Sequence, residues 1–210
     1  MLTQNLLEPF NTPTEYFFLT KRQHLETLDT EYFEALYTTK IDPWNFRDST
    51  YEQSKYKRSI KALKGDCYRN CLELGCSIGI QTAMLSQISD QVLAIDISMT
   101  AINEAKASCS NLDNIEFKVA DITKDFPAGM FDLITCCEIG YYLNPMDLSV
   151  LFKNIDEHLS PDGKLLLVHW TPFVPEYPLS GDEVHDNFAE KAKMLGGYEE
   201  LSNERHDLYR

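Results

Sequence analysis

The sequence predicts an α/β fold, a mostly parallel sheet with helices on both faces. Three observations carry this. Beyond residue 65, short apolar runs alternate with amphipathic stretches of helical period. The first apolar run ends in a glycine turn that opens directly into a helix, and acidic residues follow three successive runs. Strands alternating with helices of this length imply right-handed crossovers and a sheet covered on both sides.

Residues 1–64 differ from the rest and read as a helical extension, a lid packed on a core of residues 65–210. Aromatic and leucine side chains recur at helical spacing over Tyr16 to Leu28 and Thr30 to Tyr37, with Pro9 and Pro13 interrupting the start. Asp42-Pro43-Trp44-Asn45-Phe46 reads as a turn. Ser49-Thr50-Tyr51-Glu52 matches a capping box, in which the hydroxyl and the carboxylate satisfy free amides of a first helical turn. Tyr56, Ile60 and Leu63 then share one face. Lys55, Lys57, Arg58, Lys61 and Lys64 crowd towards the negative end of the helix dipole and are expected on a solvated face.

The core elements follow in order. Asn70 to Gly75 is a short strand; Ile80, Ala83, Met84 and Ile88 mark a helix face; Gln91 to Asp96 is a second strand. Ser98 caps a helix with Ile102, Ala105 and Cys109 inward. Strands over Ile115 to Ala120 and Phe131 to Cys137, a helix over Leu148 to Leu159 and a strand over Lys164 to His169 complete the pattern, with Pro161-Asp162-Gly163 as the last turn. The segment Thr171 to Asn187 is longer than most connections and reads as a functional loop. A helix near Phe188 to Leu195 and a strand around Glu200 to Arg205 are expected after it.

Composition excludes several functions. The chain has 210 residues and a formal net charge of −14, so it lacks the basic field that nucleic acid or an anionic membrane would require. No apolar run reaches the ~18 residues of a membrane span, and the N-terminus lacks a signal-peptide build, so a cytoplasmic protein is expected. The six cysteines lie mostly in apolar runs without a C-x-x-C knuckle, which fits buried thiols and neither a disulfide framework nor a metal site.

The chemistry concentrates at Glu73-Leu74-Gly75-Cys76-Ser77-Ile78-Gly79. A strand, a glycine turn and a helix let a polar ligand approach the main chain closely. Gly75-Cys76-Ser77-Ile78-Gly79 also matches the nucleophile elbow of a serine hydrolase, with Ser77 as nucleophile, although that fold needs strands before its elbow. Asp96 ends the second strand, where a carboxylate can accept both hydroxyls of a ribose. Asp121 follows the third strand in a position suited to an adenine amino group, with Ile122 against the ring. Any one of these acids alone fits a turn or a cap; three in a row beside a glycine turn do not.

With these residues in place, E-L-G-C-S-I-G, A-I-D-I-S and A-D-I resemble the S-adenosylmethionine site of class I methyltransferases. Asp42 to Phe46, Tyr51-Glu52 with Lys55-Tyr56, Glu138 to Leu143, Val168-His169-Trp170 and Pro178 to Asp186 are similar to the NodS-type N-methyltransferases. The resemblance implies S-adenosylmethionine as cofactor, held by Glu73, Gly75, Cys76, Gly79, Asp96, Ile97, Asp121, Ile122 and Glu138, with Trp44 and Tyr51 near its methionine end. It implies a small-molecule acceptor, the free amino group of a glucosamine in a chitooligosaccharide, and Tyr141, Tyr142, Trp170, Asp182 and His185 are placed to bind it. Glu138, His169 and His185 are the catalytic candidates, Glu138 first, since an amine must be neutral to attack. A sugar amine titrates low enough for water to take its proton instead. Serine hydrolysis and a non-catalytic cofactor-binding module are the alternatives.

The resemblance also implies the strand order 3-2-1-4-5-7-6. The residues after 187 are too few for both final strands, so an incompletely paired sheet edge is expected, in a monomer or a homodimer.

Overall fold

The apolar runs pair as a five-stranded, all-parallel sheet in the order β3-β2-β1-β4-β5. The computed structural model describes residues 26–63, 65, 67–206 and 208–210. The helical pattern over residues 16–25 and the basic Lys64 lie outside the described residues. The strands are β1 (Tyr68–Leu74), β2 (Ser89–Asp96), β3 (Ile115–Val119), β4 (Phe131–Cys137) and β5 (Leu159–Val168). The helices are α1 (Thr30–Thr39), α2 (Thr50–Leu63), α3 (Ile80–Leu85), α4 (Met99–Ser108), α5 (Pro145–His158) and α6 (Gly181–Leu195), with a short 3-10 turn at Gly140–Tyr142.

Both faces of the sheet are buried, which is why its strands read as continuous apolar runs. Leu72, Leu74, Ile95, Ile134 and Cys136 pack into one cluster with Phe33 and Tyr37 of α1, Leu148 and Leu151 of α5, and Val184 and Phe188 of α6. Cys71, Val92, Ala94 and Leu133 face the other way, against Ile60 and Leu63 of α2 and Ile102 of α4. Strand order reverses between β1 and β4, and a cavity opens there, outside the carboxyl ends.

Four expectations need correction. Ser49 Oγ does accept the Glu52 N–H, at 3.3 Å, but the Glu52 carboxylate turns to Lys55, so only half of the capping box forms. Lys55 itself is buried beside Tyr56 and Ser59, because the inward face of α2 is wider than its apolar positions. The loop after Thr171 is shorter than expected: Ser180 and Glu183 form a complete capping box, and α6 starts at Gly181. Pro161 to Gly163 lies within β5 as an irregularity, where the register against β4 jumps from Phe131↔Leu159 to Leu133↔Lys164.

Two further strands do not form after α6 among the described residues. The polar stretch Glu200 to Arg205 has no apolar alternation to bury and stays irregular. Instead the chain returns antiparallel beside the end of β5. His169 N–H donates to Arg210 O at 2.9 Å, Arg210 N–H donates back to His169 O at 3.0 Å, and Thr171 N–H donates to Leu208 O at 2.9 Å. No helix among the described residues is long and apolar enough to cross a membrane.

Candidate active site

A cavity of about 520 Å³ occupies the switch point. Its floor comes from the glycine turn after β1. Gly75 has φ +75, and a Cβ there would overlap the Ile139 side chain, so the turn after β4 presses directly on the turn after β1. Ser77 is also left-handed, at φ 49, and its N–H donates to Asp96 Oδ2 at 2.9 Å. Asp96 Oδ1 accepts the Ser98 N–H at 2.9 Å, so one carboxylate ties the turn to the start of α4. Ser98 caps that helix as the sequence predicts, accepting the Ala101 N–H.

Carboxylates from three strand ends line this cavity: Glu73, Asp96 and Asp121. Glu73 is 3% exposed and its Oε2 has no hydrogen-bond partner. Burial drives its pKa up to about 8, with the Thr82 hydroxyl pulling the other way. Burial likewise raises Asp96 to about 6 against its backbone hydrogen bonds. Asp121 moves in the opposite direction: the hydrogen bonds from Lys124, at 2.7 Å, and Thr123 outweigh its burial. A buried carboxylate oxygen without a donor is a place for a cationic N–H, so the donor set fits a ligand carrying positive charge.

The opposite wall is the turn after β4. Glu138 has φ 59, and its N–H donates to Val168 O at 2.8 Å. Glu138 Oε1 pairs with Lys55 Nζ at 2.5 Å; its Oε2 accepts the Tyr141 hydroxyl at 2.6 Å and the Trp170 N–H at 2.8 Å. Lys55 also reaches Glu52 Oε2 at 2.8 Å. Burial pulls the Lys55 ammonium down, but the two carboxylates outweigh it and its pKa stands at about 12. The site thus holds a compact buried cluster of one positive and two negative groups.

Aromatic side chains roof the space. Tyr141 and Tyr177 stack with ring centres 5.1 Å apart, Tyr142 meets Tyr177 edge-on, and Trp44 packs between Tyr37 and Phe46. The Tyr37 hydroxyl donates to Ser77 Oγ at 2.6 Å, which places α1 over the glycine turn. Glu34 fastens the same helix to α4, accepting the Thr100 N–H at 3.2 Å and its hydroxyl at 2.7 Å.

Of the residues singled out from sequence, Trp44, Glu73, Gly75, Cys76, Asp96, Ile97, Asp121, Ile122, Glu138, Tyr141, Tyr142 and Trp170 all line the cavity. Tyr51 lines a smaller neighbouring space of about 280 Å³ with Arg58, edge-on to Trp170. Gly79, His169, Asp182 and His185 are outside the cavity lining. Gly79 packs on Ala105 and Cys109 of α4 and its vicinity. Asp182 is engaged by Arg205 at 2.7 Å. The two histidines lie behind the wall, against each other. Sequence reasoning missed Phe33, Tyr37 and Lys55. The first two stand four apart on α1, and Lys55 lies one turn from Glu52 and Ser59, so helical spacing carried a signal for each.

Residues 35–170 match the family model described as Nodulation protein S. Nodulation protein S of Bradyrhizobium diazoefficiens is 28% identical over 128 residues, covering 60% of this chain and 61% of that protein. Its counterpart from Azorhizobium caulinodans is 30% identical over 127 residues, with 60% and 61% covered. The chain therefore aligns with about three fifths of the length of these relatives. The crystal structure of N-methyltransferase NodS from Bradyrhizobium japonicum WM9, solved with S-adenosyl-L-homocysteine, superposes with a TM-score of 0.71. At 24% identity over 78% of this chain and 86% of that one, it shares the fold.

Proposed function

This chain belongs to the NodS family, and from that premise we propose that it is an S-adenosylmethionine-dependent methyltransferase. Its acceptor in this reading is an amino group on a small sugar-like molecule, with the free glucosamine of a chitooligosaccharide as the reference substrate. The observation that supports this best is the row of carboxylates Glu73, Asp96 and Asp121 in one cavity with Glu138 facing them across the switch point.

When bound, S-adenosylmethionine supplies a methyl carbon on a sulfonium leaving group, so the acceptor must offer a neutral nitrogen lone pair. Glu73 would accept hydrogen bonds from a cationic amino group and so satisfy its free oxygen. Asp96 and Asp121 would take ribose hydroxyls and an adenine amino group, with Ile97 and Ile122 supplying apolar contact. Tyr141, Tyr142 and Trp170 would stack on the acceptor. Glu138 is fixed by three donors, so it would accept an amine N–H and aim the lone pair, while the proton leaves to water. Such alignment is the main resource of a displacement reaction, worth on the order of 7 to 11 kcal/mol.

The hydrolase alternative finds no support in the geometry. Ser77 has the strained φ of an elbow, but its Oγ is taken by Tyr37, and His169 and His185 bond each other. The test is an amine panel incubated with S-adenosylmethionine and read by mass spectrometry. One added methyl mass on an amino sugar is expected. Tight S-adenosylhomocysteine binding with no methylated amine would identify a non-catalytic module, and absence of binding would overturn the reading altogether.

A further inference from the structure

Two histidines, one buried and one half-buried, remain without a part in the reaction. His169 follows β5 and is wholly buried, and His185 stands on α6 behind it. Gly140 N–H donates to His169 Nε2 at 3.1 Å. That nitrogen must keep its lone pair, so the proton of the neutral ring sits on Nδ1. Nδ1 lies 3.2 Å from His185 Nε2 and donates to it, and His185 in turn hydrogen-bonds the Arg210 backbone. Donation therefore runs in one direction, from the Gly140 N–H through His169 and His185 to the chain that returns beside β5.

Gly140 sits where position matters. It belongs to the turn that carries Glu138 and Tyr141, and Ile139 of the same turn fills the space beside Gly75. A Cβ on Gly140 would stand 2.6 Å from Val184 Cγ1 and 3.0 Å from His169 Nε2, so the turn is held closely between α6 and the imidazole. Glu138 is left-handed, a conformation that persists only when its surroundings impose it. A general base needs a ring nitrogen open to the acceptor. Both nitrogens of His169 are engaged, and neither ring lines the cavity.

We propose that His169 and His185 are positioning residues: a directed, uncharged imidazole pair that pins the Glu138–Tyr142 turn, and with it the acceptor wall, from behind. The role in turnover rests on the methyl-transfer reading above; the pair itself does not. Lys55 and the edge of the Tyr141 ring face His169, while Arg210, Asp182 and Asp186 surround His185. Burial and the neighbouring cations Lys55 and Arg210 disfavour protonation of either ring.

Long-range ¹H–¹⁵N spectra of the labelled protein read the tautomers without any activity. His169 is expected as neutral Nδ1–H with a bare Nε2 at neutral pH; an Nε2–H tautomer or an imidazolium would overturn the proposal. Kinetics with S-adenosylmethionine and an amine acceptor form the second arm. His169→Ala is expected to raise the acceptor KM by about fivefold or more while S-adenosylhomocysteine affinity stays within about twofold. His169→Gln keeps an acceptor for Gly140 but has no basicity, and is expected to restore kcat/KM to within about threefold of the wild type with the acid limb of its pH profile in place. Loss of turnover and of that limb in His169→Gln would show a base and refute positioning, as would an unchanged KM in His169→Ala. Should His169→Ala not fold, His185→Ala takes its place with the same expectation. If no acceptor is methylated by the wild type, the functional reading fails and the tautomer spectra decide the pair alone.

Discussion

Replacing Glu73 by Gln should stabilise the ligand-free protein and weaken it as a binder. The Glu73 carboxyl is buried with one oxygen unpartnered, and its pKa rises from 4.5 to about 8. A raised acid is disfavoured in its charged form by the fold. The cost is absent below pH ~4.5, grows as pH climbs towards ~8 and is constant above that. At about 1.4 kcal/mol per pKa unit, the native state gives up about 3 kcal/mol at pH 7 and about 5 kcal/mol above pH 8. Glutamine keeps the shape and removes that cost. Urea denaturation of wild type and Glu73→Gln at pH 5, 7 and 8.5 should show an advantage for the variant that widens with pH. A calorimetric titration with S-adenosylhomocysteine should show the opposite sign, with affinity reduced about tenfold or more, since the charged partner for the ligand's ammonium is gone. Wild-type binding at pH 7 should also release protons, visible as a dependence of the heat on buffer ionisation. A variant no more stable at pH 8.5 than at pH 5, relative to wild type, would refute the reasoning.

Three other outcomes follow from the same geometry. Gly75→Ala puts a Cβ into Ile139 at φ +75, and a melting-curve loss of about 1 to 3 kcal/mol is expected, with reduced S-adenosylhomocysteine affinity. Lys55→Met leaves Glu52 and Glu138 without their shared cation, and urea unfolding should show about 3 to 5 kcal/mol of lost stability, more than any exposed lysine of α2 would cost. Burial and Arg210 lower His185 from 6.5 to about 4, so the unfolded chain takes up a proton that the native state refuses. Stability from this group is complete above pH 6.5 and falls by about 3 kcal/mol on acidification to pH 4, a loss that His185→Gln should not show in the same titration.

Much of the fold was legible because a parallel sheet writes itself as apolar runs closed by polar turns. β4 was expected over the residues it occupies, and β1 and β2 begin only two residues earlier than the pattern placed them. The carboxylate row of the cavity was legible for a related reason: Glu73, Asp96 and Asp121 lie at the ends of consecutive strands, and topology alone brings strand ends together. The wall built on Glu138 was not. Lys55 sits in one basic run with the exposed Lys57 and Arg58, and although its spacing puts it on the same helix face as Glu52, only the folded chain shows that its ammonium also meets Glu138. His169 and His185 were visible as titratable side chains near the crevice, but sequence does not tell which side of the wall an imidazole takes. The start of α6 was missed although Ser180 and Glu183 have capping-box spacing, because Pro175 and Pro178 just upstream pointed to a loop. The strand expected over Glu200 to Arg205 fails on polarity, and Tyr209 bridges to Trp170 in its stead.

N-methylation at this cavity is tested by single-turnover transfer of a labelled methyl group from S-adenosylmethionine, using a chitooligosaccharide that ends in free glucosamine beside its fully N-acetylated counterpart. The label is expected on the amine of the first and nowhere on the second. Label on both, or on neither while S-adenosylhomocysteine binds, would contradict N-methylation of an amino sugar at this cavity.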